Sequence, residues 1–589
     1  MGALRVFTIT DTIAVLRGEK NAEPKYRQAI SARIIQQFGK GPYSPDVQKE
    51  VFTFCQQYFI EEFEKNCEKE TSYTFYREVF TLHEQASDLR RSEHYHQLPT
   101  GIDKQYISIY RRVLKMILEK GCDIDMQRGE KRDPGFIRRI QPVLNDLLYL
   151  GEMIFDFTES FAEFSMVEGI SQLTFDEHDL YKQTREPHLD HVFNNISQDM
   201  ARRREEYVID PTGSEDFKAA VQLAFGFDYD RIGLLIAALY DKFKLDPPDC
   251  LSADRHNFIG DATNICEVSR GSLVIFFSGL ILDRNNKMPL VELVRKPYLM
   301  NRFLYRPFLE WRINDTPYLV CGIYSLDEAE NSLILNAIPW GKVPNEWRDI
   351  PGIKAYVHRK HNDHDDWLDD QVEKIVTGCG LRYDRGVEKI HTKVKSFSLL
   401  EKSLGEIDFL IISPAFKKLL VTECKHLLGR YDMVNWKQDY DHFTVDGSKA
   451  GYNTRLAAKV MWITNHLSQV EEHFRIKYKD TTISLDNYEV EGVFVINTPT
   501  FYMYNALYRI YTYHQFGDVI TGRHVDPVYT LVHDTEDSIS TYWVKYPYFA
   551  KRELLYFDPG DDDDGEVDKY GFPITKPDSD ALEPDVPLI

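Results

Sequence analysis

Two neighbouring runs, Gly405-Glu-Ile-Asp-Phe-Leu-Ile-Ile412 and Leu419-Leu-Val-Thr-Glu-Cys-Lys425, decide how this chain is read. Each is apolar with its charges gathered at one end. Side chains alternate across a strand, so Glu406 and Asp408 share a face, as do Glu423 and Lys425, each pair about 6.6 Å apart at ~3.3 Å per residue. The connection from Ser413 to Lys418 suits a hairpin. In the obvious register it brings Asp408 to Glu423 with Lys425 beside them.

Two carboxylates and an ammonium near the middle of a sheet are costly to bury unless they bind one another or a metal ion. Converging carboxylates and a main-chain carbonyl are hard oxygen ligands suited to Mg²⁺ at about 2.1 Å, with positions left for water and a phosphate. The lysine is then the neighbour of the attacking water, orienting it and stabilising the negative charge that develops.

Working outward, Trp367 to Gly380 has a helical pattern, and strand-like segments follow near 386–397, 404–413 and 418–427. A long helix carries the stripe Leu456, Val460, Ile463 and Leu467, and Val490 to Asn497 reads as a buried strand. The order is α-β-β-β-α-β. In these residues the chain resembles the PD-(D/E)XK nuclease superfamily, over roughly 360–500, about a quarter of its length.

The resemblance implies an α/β nuclease core, a mixed central sheet flanked by helices, that hydrolyses phosphodiester bonds with Mg²⁺. Mn²⁺ is expected to substitute, DNA rather than RNA is the expected substrate, and defence against foreign DNA is a common setting. By position, Asp408 matches the motif's aspartate, Glu423 its second acid and Lys425 its lysine. Cys424 would lend its main-chain carbonyl to the metal. Glu373 is the best match for the glutamate that many members carry on the preceding helix. Ile407 stands where the family name has proline. Glu406, on the Asp408 face, is available to hold a second metal or a water.

Basic groups for a phosphate backbone lie close by. Lys374, Arg382, Arg385, Lys389, Lys393 and Lys395 outnumber Asp384 and Glu388 in the stretch 374–395. Lys389, Lys393 and Lys395 are expected on a positive rim. Arg455, Lys459 and Trp462, at i, i+4 and i+7 of the long helix, are expected to grip a strand by charge and stacking. Lys437 and Gln438 follow the third strand and can approach the site. His358, His361 and His364, among Asp363, Asp365 and Asp366, mimic a metal cluster but read as a solvated loop leading into a helix. The aromatic-rich stretch Tyr502 to Phe516 reads as core.

The whole chain sets the frame. Its 589 residues, 43% of them apolar, suffice for several cores. A net charge of −22 excludes a protein that coats nucleic acid through bulk positive charge. Residues 346–557 are nearly balanced, at −3, whereas 558–589 carry −9 and five prolines. The expected organisation is a largely α-helical region over 1–200 for recognition or regulation, an α+β region over 201–345, the nuclease domain over 346–557 and an acidic disordered tail over 558–589. Within 201–345, Ile232–Phe243 reads as helix, and Leu273–Leu282 and Tyr318–Ile323 read as strands.

Eight scattered cysteines without a Cys-x-x-Cys pair argue against a zinc knuckle or a disulfide scaffold. Met1 to Val6 has no secretory pattern, and the longest apolar stretch, Ser272–Leu282, falls short of the roughly 20 residues of a membrane span. A cytoplasmic protein without membrane contact is expected, whose N-terminal region is free to take a protein partner or a second copy as a homo-oligomer. The competing expectations are a non-catalytic nuclease-like interaction module and a structure-selective or RNA endonuclease.

Overall fold

Proline at position 351 opens a 28-residue helix, α1 (Pro351–Gly378), because a first-turn residue needs no amide hydrogen. Leu368, Val372 and Val376 recur at helical spacing and are fully buried. The computed structural model describes residues 4–18, 21–128, 131–202, 213–245, 251–297, 299–429, 432–535 and 538–549. The expected acidic tail, 558–589, lies outside them. The helix starts earlier than the sequence pattern implied, so His358, His361 and His364 stand on α1 and not in a loop.

Beyond α1 the chain lays down β1 (Arg382–Val387), β2 (Ile407–Ser413) and β3 (Lys418–Lys425), then helices α2 (Met433–Thr444), α3 (Tyr452–Asn465) and α4 (Leu467–Tyr478). β4 (Glu489–Ile496), β5 (Ile510–Thr512) and α5 (Tyr513–Thr521) follow. The five strands form one sheet in the order β1-β2-β3-β4-β5. β2 is antiparallel to both β1 and β3, whereas β4 is parallel to β3 and β5. A small hairpin, Lys389–His391 with Ser396–Ser398, is inserted between β1 and β2. The order α-β-β-β-α-β is present with further helices added, but the first strand lies at Arg382–Val387, ahead of the expected 386–397, most of which is this hairpin.

The sheet is covered on both faces. Phe409, Ile411, Leu420, Val493 and Val495 pack with the apolar stripe of α1. Leu410, Ile412, Val421, Phe494 and Ile496 pack with Leu456 and Ile463 of α3. Strands buried on both faces read as continuous apolar runs, which is why Leu419 to Val421 show no alternation. Gly492 lets α3 approach β4: a Cβ there would lie 2.8 Å from Val460 Cγ2 and 3.0 Å from Leu456 Cγ. Gly492→Ala is expected to cost about 1–3 kcal/mol, read as a lower urea midpoint.

The preceding regions are joined to each other. Helices Ala22–Phe38, Pro45–Glu68, Tyr73–Arg91, Lys104–Gly121, Pro134–Met166 and Pro187–Arg202 account for most of residues 1–200. The region is largely α-helical as expected, with two hairpins added, Leu4–Thr8 with Ala14–Gly18 and Ser171–Phe175 with Tyr181–Arg185. The strand Asp125–Met126 pairs in parallel with Phe308–Ile313, which is in turn antiparallel to Thr316–Cys321. One sheet thus draws strands from both sides of residue 200. The run 273–282, expected as a strand, is mostly the helix Arg270–Ser278, capped by the Ser269 hydroxyl; only Ile281–Leu282 is extended. The chain divides into two compact units, Met1–His524 and Val525–Ile589. In the second, Tyr529–Thr535 and Ser538–Val544 form an antiparallel hairpin. That boundary falls inside the span 346–557.

Buried ions tie residues 1–200 to the middle region. Glu84 accepts the amide hydrogens of Tyr324 (2.8 Å) and Ser325 (3.1 Å), at the start of the helix Ile323–Ala329. Burial pushes its carboxyl up to about 8. A folded value above the unfolded one means that the fold favours the protonated form. Its stabilising contribution is full below about pH 4.5 and is lost as pH rises through about 8. Glu84→Gln is therefore expected to flatten the fall in melting temperature between pH 5 and pH 8, an effect on the order of 3 kcal/mol. Equal slopes in the two proteins would contradict this.

Candidate active site

The β2–β3 register pairs Phe409 with Thr422, which sets Asp408 next to Glu423 at the strand ends. Alternation places Glu423 and Lys425 on the α3 face and Cys424 on the α1 face, and the Asp408 carboxylate at the end of β2 reaches Lys425 on one side and the Cys424 amide on the other. Lys425 Nζ donates to Glu423 Oε2 (3.1 Å), to Asp408 Oδ2 (3.4 Å) and to the Cys424 carbonyl (2.8 Å). The Cys424 amide donates to Asp408 Oδ2 at 2.6 Å. The two acids and the lysine expected from the sequence therefore meet at one point.

Two further groups complete this centre. Asp369 on α1 offers a carboxylate oxygen that lies, with Asp408 and the Cys424 thiol, in a group whose candidate ligand atoms are all within 4.8 Å of one another. Lys459 on α3, only 5% exposed, donates to Glu423 Oε1 and to the Glu406 carbonyl. Three carboxylates thus face two ammonium groups. Burial, then the adjacent Asp408, pushes the Asp369 carboxyl up to about 6. Burial also raises Asp408, with Glu423 adding to the effect and Lys425 opposing it. Burial works against the Lys425 ammonium, but Asp408 and Glu423 override it and hold its value above that of a free lysine. Burial drives the Cys424 thiol well up, so it stays protonated.

Several expected site residues sit elsewhere. Glu373, the expected helix acid, accepts from the Tyr383 hydroxyl (2.8 Å) and pairs with Arg385 (2.7 Å). The acid that faces Asp408 is Asp369, one turn earlier. Its signal was present, since Asp369, Val372 and Val376 share the i, i+3, i+7 face that α1 buries. Glu406 lies over Gly386, where a Cβ would be 2.9 Å from its Oε1, and is outside the group formed by Asp369, Asp408 and Cys424. Both carboxylate oxygens of Glu423 are held by lysines.

The expected strand-gripping residues divide in the same way. Lys459 is a buried member of the centre and not a surface cation. Its place between Leu456 and Ile463 on the apolar stripe was the signal, and its long stem carries the ammonium in. Arg455 is exposed, with its guanidinium 4.8 Å from the centre of the Tyr452 ring. Lys425 Nζ lies 5.6 Å from the same ring, so Arg455 is one side chain removed from the centre. Lys389, Lys393 and Lys395 are exposed on the inserted hairpin. Arg382 and Arg385 are taken up by Asp480, Asp370 and Glu373. Lys437 pairs with Asp441, and Gln438 Oε1 is buried without a partner among the described residues.

The donor set suits a hard divalent cation. Asp369 and Asp408 present carboxylate oxygens, and both carboxyls are raised first by burial, Asp369 also by the adjacent Asp408 and Asp408 also by Glu423. The protonated thiol is the one soft donor in the group. Among the described residues no helix is long and apolar enough to cross a membrane. Compared with known proteins, the chain matches no family model, no curated protein and no solved structure.

Proposed function

We propose that the chain is a metal-dependent nuclease that hydrolyses phosphodiester bonds in DNA, with a core of the PD-(D/E)XK kind. The observation that carries this reading is the convergence of Asp408, Glu423 and Lys425 at the ends of two paired strands. Asp369, Asp408 and the Cys424 carbonyl would hold Mg²⁺, or Mn²⁺ in its place. When bound, such an ion neutralises charge on the scissile phosphate and lowers the pKa of a coordinated water.

The chain's own groups do the rest. Lys425 orients the attacking water and stabilises the negative charge that grows on the phosphate oxygens as the phosphorus–oxygen bond to the leaving group breaks. Glu423 fixes the Lys425 ammonium on one oxygen while Lys459 holds the other, so the carboxylate cannot swing away. Arg455 and the exposed lysines of the inserted hairpin supply backbone contacts.

The test is incubation of purified protein with plasmid, single-stranded DNA and RNA, in Mg²⁺, Mn²⁺ or chelator. Cleavage of DNA that requires the metal and is abolished in Asp408→Asn is the expected result. An inert wild-type protein on every substrate would overturn the reading.

A further inference from the structure

Five aromatic rings from four parts of the fold gather immediately beside Lys425. His426, the next residue after it, lies 4.8 Å from His364 of α1 and 4.9 Å from Trp340, ring centre to ring centre. Trp340 and His364 are stacked at 4.5 Å with an interplanar angle of 14°. Trp367, also on α1, meets His426 edge-on at 5.8 Å and Tyr513, at the start of α5, at 5.4 Å.

Stacking and not hydrogen bonding holds this group together. His426 Nδ1 and Trp340 Nε1 are buried without a hydrogen-bond partner among the described residues. His364 Nε2 is within 2.9 Å of the Pro339 carbonyl.

Trp367 is the member that reaches solvent. It is 41% exposed, and its ring is in near-perpendicular contact with Tyr513 and His426. An exposed indole held by neighbouring rings is the kind of group on which a nucleobase stacks, and such contacts need a base that is not already paired. Its contact with His426, the residue that follows Lys425, is what links Trp367 to the centre.

We propose that Trp367, supported by His426 and Tyr513, is the stacking platform for an unpaired nucleobase flanking the scissile phosphate, so that the enzyme prefers single-stranded DNA segments. This inference rests on the nuclease reading of the adjacent centre. The site recognises any base, since every base has a π-face, and selects strandedness, not sequence.

The experiment compares three proteins, Lys425→Ala and that variant carrying Trp367→Ala or Trp367→Phe, for binding of a fluorescein-labelled single-stranded oligonucleotide and of its blunt duplex in Mg²⁺. Thermal melts confirm folding of each. The alanine change is expected to weaken single-strand binding about ten-fold or more while leaving the duplex within about two-fold, and phenylalanine is expected to restore most of the loss. Single-strand affinity unchanged by alanine, or equal losses on both substrates, overturns the platform and leaves the nuclease reading standing. Absence of any nucleic-acid binding by the Lys425→Ala parent overturns both.

Discussion

Alanine at Lys425 is expected to lower the rate of phosphodiester hydrolysis by at least ~10³-fold, the scale of losing one preorganised group that stabilises transition-state charge. Lys425 is a cation set against Asp408 Oδ2, Glu423 Oε2 and the Cys424 carbonyl. Its loss removes positive charge from a centre where three carboxylates already outnumber two ammonium groups. Metal affinity should therefore hold or rise while the rate collapses. A structural role would instead lower metal binding and rate together. Arginine is not expected to rescue, because a planar fork cannot occupy the place of a compact ammonium bonded to three oxygens. The measurement is single-turnover cleavage beside a Mn²⁺ titration of the same variant. A variant that keeps its rate would remove Lys425 from the chemistry.

The second large effect lies far from this centre. Glu328, on the helix Ile323–Ala329, accepts from Arg111 (2.8 Å) and Lys115 (2.6 Å), both on the helix Lys104–Gly121 and both almost fully buried. Burial alone would raise the Glu328 carboxyl, but Lys115 and Arg111 override it and hold it well below the ordinary carboxylate range. Replacing Glu328 with alanine leaves two buried cations without their shared anion. A loss of about 3–5 kcal/mol is expected, read as a shift in the chemical denaturation midpoint. Replacing Lys115 with methionine in the same variant should recover part of it, because one uncompensated charge is then gone and an apolar stem of similar length remains. A loss of under ~1 kcal/mol would mean that water reaches the pair.

The centre was legible in the sequence only where periodicity alone decides position. Asp408, Glu423 and Lys425 could be placed together because the two-residue repeat of a strand fixes the face and a short connection fixes the register. Asp369 was missed although it shares a helix face with Val372 and Val376, since it belongs to the acidic run Asp365-Asp366-Trp367-Leu368-Asp369-Asp370, in which an acid facing the core looks like its solvated neighbours. Lys459 was misassigned for a related reason: a lysine beside an apolar stripe is usually solvated, and only the buried partner Glu423 makes the inward position favourable.

The fold was misread where two periods compete. Leu273 to Leu282 is too short and too uniformly apolar for pattern to separate helix from strand, and the deciding signal was Ser269 as an N-cap. The early start of α1 was carried by Pro351 and not by the histidine-rich stretch that follows it. The two hairpins in the first 200 residues and the strand Asp125–Met126 are short, and pairing with a distant segment such as Phe308–Ile313 leaves no local trace.

Whether one point at the ends of β2 and β3 holds a divalent cation is decided by calorimetric titration of Mg²⁺ or Mn²⁺ into the chelator-treated protein. Saturable binding is expected in the wild type, lost in Asp408→Asn and weakened in Asp369→Asn, with both variants folded. Equal binding in all three proteins, or none in the wild type, would contradict it.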